Sequence, residues 1–284
     1  FFFKQKTAYE ISTRDWSSDV CSSDLVSAGV AIHSLRAASE ASIRALATAC
    51  EGDAGPIHIH VAEQQAEVRD CLAATGERPI AWLANHLPLD ARWHLVHATH
   101  ADATDIEALA ATGAGVVVCP STEANLGDGR FALEAWGARP VPLSIGSDSH
   151  IGRNWPHELR LLEYAQRLAL ERRNVAADPG RAQPSTGDAL LLRALKGGAS
   201  AAGVPASRWG LQPGARADCL VLDPQAEGLL GIGAPHLIDA MIFACDTPPI
   251  AEVRVAGEVR VSGGAHAHRI RLRDRFREAM RELG

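Results

Sequence analysis

The chain has 284 residues, enough for one large α/β domain or for a barrel with a small appendage. A hydrophobic share of 46% and a net charge of −6 suit a globular protein and argue against nucleic acid or an anionic membrane as partner. No apolar run approaches the roughly 18 residues of a membrane-spanning helix, and six cysteines without a Cys-x-x-Cys pair read as reduced thiols of a cytoplasmic protein.

Residues 1 to 25 show neither helical nor alternating periodicity and no signal-peptide anatomy. Phe3-Lys-Gln-Lys-Thr-Ala-Tyr-Glu-Ile11 and Asp15-Trp-Ser-Ser-Asp-Val-Cys-Ser-Ser-Asp-Leu25 resemble translated sequencing-adapter DNA. The stretch is therefore set aside as an artefact, and the native N-terminal part is expected to have been lost at that junction.

From Val26 onward, short apolar runs alternate with amphipathic segments. The pattern predicts a strand over 26–33 and an Ala-rich helix over 35–51. A strand over 56–61 follows, then helices over 64–74 and 79–85. Next come a strand over 94–96, a helix over 103–111, and the β-branched run Gly115-Val-Val-Val-Cys119, which has the look of a buried parallel strand. Pro120 to Gly129 reads as a Gly- and Asn-rich loop that lines a pocket. A strand over 141–146 and a helix over 157–173 complete a βαβα rhythm, which points to a parallel sheet.

Five strand ends of this kind predict the later half of a (β/α)8 barrel over 26–205, with its functional residues at the C-terminal ends of the strands. A helix over 189–203 leads into a second region, the strands of a small β-domain over 206–265. There the alternation of 250–261 around an Ala-Gly turn predicts a hairpin. The terminal stretch 266–284 is an Arg-rich amphipathic helix whose charges read as a solvated face.

Three polar clusters end the apolar runs: His58-Ile-His60-Val-Ala-Glu63, His97-Ala-Thr-His100 and Gly146-Ser-Asp148-Ser-His150. Alternation puts His58 and His60 on one face. His60 is nearer the strand end and is the candidate metal ligand, whereas His58 reads as a structural histidine. Asp148 can ligate a metal and orient its water, and Glu63 is placed to shuttle a proton. His97 either binds the metal or stands beside it and polarises the bond under attack. His100 reads as a surface residue, His150 as a support for Asp148, and Cys119 as a small core residue. His33 and Arg36 in His33-Ser-Leu-Arg36 are candidate substrate binders, since the guanidinium fork suits a carboxylate.

The spacing of His60-x-x-Glu63, His97 and Asp148 resembles the deaminase branch of the amidohydrolase superfamily. Gly210-Leu-Gln-Pro-Gly-Ala-Arg-Ala-Asp218 resembles the superfamily's small β-domain signature. More narrowly, His33-Ser-Leu-Arg36, the run Cys119-Pro-Ser-Thr-Glu-Ala-Asn-Leu-Gly-Asp-Gly129 and Gly146-Ser-Asp148-Ser-His150 are similar to the formimidoylglutamate deiminases of histidine degradation.

The resemblance implies a metal-dependent hydrolase: an α/β (β/α)8 TIM barrel, here its C-terminal part, with the remnant of a small β-sandwich domain. It implies one Zn2+ per subunit, with Fe2+ as the alternative, held by His60, Asp148 and two histidines of a His-x-His on the first barrel strand. Glu63 would shuttle protons, His97 would assist the attack, and His33 and Arg36 would meet the substrate's carboxylates. The upstream His-x-His is absent from this sequence, so an inactive truncated fragment is the non-enzyme alternative. The alternative enzyme is a deaminase or chlorohydrolase acting on a purine, pyrimidine or triazine. The expected partner is a small-molecule substrate, with homodimerisation left open.

Overall fold

A computed structural model describes residues 28–181 and 185–283. Residues 1 to 25, set aside above, lie outside the described residues. The chain divides into two units, Phe1–Ala206 and Ser207–Gly284.

The first unit is built on five parallel strands in the order β1 to β5: β1 (Val30–Ser34), β2 (Ile57–Val61), β3 (Trp93–His97), β4 (Gly115–Val118) and β5 (Leu143–Ile145). Each strand pairs in parallel with the next in sequence, so every crossover leads to the adjacent strand and the C-terminal strand ends all open on one side. This is the strand order of a barrel wall, and it is the α/β architecture that the alternating pattern implies.

The two faces of the sheet differ chemically. One carries Ile57, Ile59, Val61, Trp93, Leu95, Val116 and Val118, all nearly or fully buried, and the helices add Ile43, Ile80, Leu83, Leu109 and Leu159 to the same apolar core. Burying one such side chain stabilises the fold by about 1.5–3 kcal/mol. The other face carries His58, His60, His94, Val96 and Val117, as the register His58↔His94 and His60↔Val96 requires.

The intervening helices are α1 (Glu40–Ala49), α2 (Gln65–Thr75), α3 (Pro79–His86) and α4 (Ala103–Ala110), followed by α5 (Pro120–Leu126), α6 (Leu133–Gly137), α7 (Trp155–Leu170) and α8 (Thr186–Ala201). Their ends follow local chemistry. Ser39 caps α1, Asp102 and Asp105 form a capping box on α4, and Gly76 closes α2 in the left-handed conformation. The predicted loop 120–129 is in fact mostly helical. Pro120 occupies the first turn of α5, where its missing N–H costs nothing, and Gly127 at φ 72° ends the helix.

α8 lies close against the sheet: a Cβ added at Gly197 would stand 2.0 Å from the Leu143 carbonyl oxygen, so only glycine permits the approach. At its end, Ala201 packs against the buried cluster of Val96, Val117 and Cys119.

The second unit holds a four-stranded sheet, β6 (Cys219–Leu222), β7 (Ile250–Val255), β8 (Glu258–Ser262) and β9 (Ala265–His266), antiparallel throughout. The predicted hairpin turns at Ala256 and Gly257, both with positive φ. Asp218 of the Gly-Ala-Arg-Ala-Asp run secures that turn by accepting from the Ala256 N–H at 2.8 Å, while Arg216 pairs with the same carboxylate. Helix α9 (Leu237–Phe243) contributes to a small core of Leu229, Ala240 and Cys245. Helix α10 (Arg269–Leu283) buries none of its residues, in keeping with a solvated face. No helix among the described residues is long and apolar enough to cross a membrane.

Candidate active site

The C-terminal ends of β2, β3 and β5 bring His60, His97 and Asp148 together, with one potential ligand atom from each lying within 4.8 Å of the others. His60 is half-buried. Its Nδ1–H donates to the His33 carbonyl at 2.7 Å, which leaves the Nε2 lone pair facing Asp148 Oδ1 at 3.5 Å. Thus His33, expected to bind substrate, contributes its backbone oxygen to the orientation of His60, while its exposed ring bonds Ser34 Oγ at 2.8 Å.

His97 reaches the cluster by breaking strand alternation. Regular pleating would send it to the same face as Leu95. Its φ of 73° swings the ring to the other side, where it stacks on His60 with centroids 5.5 Å apart. Ala62, Ala98 and Asp148 also have positive φ, so four non-glycine residues at the ends of β2, β3 and β5 occupy the left-handed region. Each such residue costs on the order of 1 kcal/mol and persists only where its surroundings hold it. Here Ala98 N–H donates to Val61 O, and His100 N–H to Ala62 O, tying the end of β3 to that of β2.

Two buried glutamates complete this scaffold. Glu67, in the first turn of α2, accepts from the Ala62 and Glu63 N–H groups at 2.9 and 3.0 Å. Glu123, in the first turn of α5, accepts from the Cys119 N–H at 2.9 Å and from His97 Nδ1 at 3.2 Å. That second bond fixes the tautomer of His97 with Nε2 turned into the cluster. His97 Nε2 is fully buried and has no hydrogen-bond partner among the described residues; it lies 3.6 Å from Glu63 Oε1 and 4.0 Å from Asp148 Oδ2. Burial alone would lower the basicity of His97. The Glu123 bond, helped by the charges of Glu63, Glu123 and Asp148, outweighs it and holds the imidazole above its ordinary value.

Glu63 is buried between His97 and Arg36, whose Nη2 lies 2.5 Å from Glu63 Oε2. Arg36, expected to meet a substrate, is therefore already ion-paired, and its Nε is also 3.7 Å from Glu67. On the far side stands Asp128, whose carboxyl is raised by burial first and by the nearby Glu63 as well, while Gln64 Nε2 donates to it at 3.0 Å. Sequence reasoning did not single out Glu123 or Asp128. The available signal was spacing, since Glu123 follows Cys119 by four residues as Glu67 follows Glu63.

The remaining histidines play other parts. His100 is not a free surface group: its ring bonds Asp128 O at 2.6 Å and Gln65 Nε2 at 2.9 Å, tying the β3 end to the loop after α5. The His150 Nδ1 accepts from the Gly152 N–H at 3.0 Å, a turn-forming contact. His58 behaves as the structural histidine expected, with Nε2 2.9 Å from the Ala201 carbonyl oxygen at the end of α8. Its neighbour His94 is buried, and desolvation first, then the adjacent His58, pulls its basicity down to about 4. Burial likewise pushes the Cys119 thiol up and leaves it inert.

The donor set suits a divalent metal such as zinc or iron(II): two imidazole nitrogens, each with its other nitrogen bonded to a carbonyl or a carboxylate, and one carboxylate oxygen. The unpartnered, buried Nε2 of His97 is the kind of polar atom that a ligand would satisfy.

Parallel strands that deliver imidazoles and carboxylates to one end define a hydrolase-type α/β scaffold, and sequence comparison places it. The chain belongs to the amidohydrolase family, whose profile matches residues 5–261.

Among individual relatives, it is 43% identical over 257 residues to the formimidoylglutamate deiminase of Pseudomonas aeruginosa, an alignment covering 90% of this chain and 56% of that protein. The crystal structure of an amidohydrolase from Brucella melitensis superposes with a TM-score of 0.82 at 41% identity, over 90% of this chain and 55% of that one. The fold is shared at 24% identity and a TM-score of 0.77 by an adenosine deaminase from Xanthomonas campestris solved with bound zinc, over 91% of this chain and 59% of that one. The chain thus spans about half the length of the relatives it matches.

Proposed function

We propose that the chain carries part of the active site of a zinc-dependent deiminase that hydrolyses N-formimidoyl-L-glutamate to N-formyl-L-glutamate and ammonia, a step of cytoplasmic histidine degradation. The observation that carries this reading is the convergence of His60, His97 and Asp148 on one point with Glu63 beside it. The likeness to a formimidoylglutamate deiminase at 43% identity supports the choice of substrate.

His60 and Asp148 would hold the metal from this chain, with His97 Nε2 turned to the same place. When bound, the metal supplies Lewis-acid activation of water at neutral pH. Glu63 takes a proton from the attacking water and delivers it to the leaving nitrogen, so the amidine carbon gains oxygen and ammonia departs. A proton on His97 Nε2 polarises the C=N bond as the nitrogen becomes basic. The buried carboxylate of Glu123 keeps that imidazole in position, and Arg36 meets a carboxylate of the glutamyl part.

Ammonia release from N-formimidoyl-L-glutamate by the zinc-loaded chain tests the reading. A second reading, a deaminase of nucleobase-like substrates, draws support from 31% identity over 210 residues to a 5-methylthioadenosine/S-adenosylhomocysteine deaminase of Halobacterium salinarum, covering 72% of this chain and 44% of that one. Ammonia from an adenosine derivative with none from formimidoylglutamate would reverse the choice. Absence of both zinc uptake and turnover would identify the chain as an inactive fragment.

A further inference from the structure

Arg36 is the cation that would greet a substrate carboxylate, yet it is already committed. Its Nη2 is 2.5 Å from Glu63 Oε2 and its Nε is 3.7 Å from Glu67 Oε2. The two glutamates are not equally free to move. Both oxygens of Glu67 are engaged by backbone N–H groups, Ala62 to Oε1 and Glu63 to Oε2. Glu67 is therefore a fixture of the turn. Glu63 has an alternative station, because its Oε1 already lies 3.6 Å from His97 Nε2.

An incoming carboxylate would give this one guanidinium a third anion beside two buried glutamates, Glu63 and Glu67. The excess negative charge is relieved most readily by departure of the only partner that can leave. We propose that a carboxylate-bearing substrate takes Arg36 from Glu63, and that this exchange releases Glu63 toward His97 to act as the proton shuttle. The inference rests on the reading that the substrate carries a carboxylate beside Arg36.

Recognition and catalysis then share one side chain. In the empty site, Arg36 holds Glu63 Oε2 in an ion pair and away from chemistry. A formimidoylglutamate-like molecule replaces Glu63 as partner, so the number of ion pairs is conserved while the shuttle is freed. A nucleobase has no carboxylate to offer, so it leaves Glu63 clamped even if it reaches the strand-end cluster. Specificity arises here through the state of the shuttle as well as through binding.

Glutarate, a dicarboxylate with no hydrolysable group, provides a probe independent of turnover. Its affinity is measured by calorimetry for the wild-type chain, Glu63→Gln, Arg36→Ala and the double variant, with folding checked by thermal melts. If Glu63 competes for Arg36, Glu63→Gln tightens glutarate about fivefold, equivalent to about 1 kcal/mol, and the gain disappears when Arg36→Ala is also present. An equal gain in both backgrounds would mean simple charge repulsion and would overturn the exchange. Unchanged or weaker binding in Glu63→Gln would overturn it too, and Glu63→Ala replaces that variant, with the same two outcomes, should glutamine disturb the packing. Glutarate that fails to bind the wild-type chain removes the carboxylate-substrate reading together with the exchange. Binding without a gain removes only the exchange.

Discussion

Two histidine pairs lie on the polar face of one sheet, and they do opposite things. His60 and His97 stack at the strand ends with centroids 5.5 Å apart, and His58 and His94 lie one repeat lower, tilted against each other at 5.1 Å. The upper pair is ringed by the carboxylates of Glu63, Glu123 and Asp148, which hold His97 above its ordinary basicity and leave its Nε2 unpartnered. The lower pair sits beneath the last turn of α8, where His58 meets the Ala201 carbonyl and burial drives His94 down to about 4. The residue type is the same and the ring separations are similar. The difference is the company: carboxylates make one pair a candidate metal and proton site, and a helix end makes the other a structural plug.

The sharpest way to break the comparison is to exchange losses between the two levels. His60→Ala should lower zinc affinity by more than about a hundredfold, beyond what an outer-shell partner is worth, with little change in melting temperature because His60 is half-exposed. His94→Leu should leave zinc uptake intact and move stability by less than about 1 kcal/mol, since it removes a buried nitrogen, Nε2, that has no partner. Zinc titration and chemical denaturation of both variants check the pair. If His94→Leu abolished zinc uptake, the two levels would not be separate.

A smaller effect is expected one layer out. Glu123→Ala should cost about 10–100-fold in turnover by freeing the His97 tautomer, with zinc affinity little changed, and Glu123→Gln should recover part of it, because its amide oxygen still accepts from Nδ1. Nitrogen chemical shifts of His97 read the tautomer directly. Equal turnover in all three proteins would exclude the positioning role. In the lower layer, His58→Ala should destabilise by about 1–3 kcal/mol, through the lost bond to the Ala201 carbonyl and the space left behind, as read by the urea midpoint.

The smallest effect is a pH slope. The folded value of His94, about 4, lies below its unfolded value of 6.5. Between those values the unfolded chain binds the extra proton. The contribution of His94 to stability is therefore complete above 6.5 and is lost as pH falls toward 4, at no more than about 1.4 kcal/mol per pH unit. His94→Leu should remove that component of the slope; an identical pH dependence in the variant would show that His94 is not its source.

Much of this organisation was legible in the sequence, because hydrophobic period and strand-end polarity are local signals. The run Ile57-His-Ile-His-Val61 announces a two-faced strand, and alternation alone puts His58 and His60 together. The structural role of His58 was likewise the simpler reading of a lone histidine below a strand end. What alternation could not supply was the direction of His97, since that depends on a left-handed backbone at a non-glycine residue. Nor could it supply the pairing of Arg36 with Glu63, which joins residues 27 positions apart. Helix α5 was hidden by a composition that favours loops, although Pro120 and Gly127 sit where a short helix would place them. Glu123 was missed because a glutamate in a first helical turn is common and its significance comes only from the histidine facing it.

The outermost strands carry a consequence for how copies of the chain meet. Among the described residues, β1 and β5 each pair on one side only. Pro140 and Pro142 precede β5, and proline interrupts the ladder a newcomer would need. β1 reads Val-Ala-Ile-His-Ser with neither proline nor lysine, so its free backbone edge is the better template for another strand. Among the described edges, pairing between copies is therefore expected at β1, and a lysine at Val30, away from the His33 carbonyl that orients His60, should oppose it without disturbing the strand-end cluster.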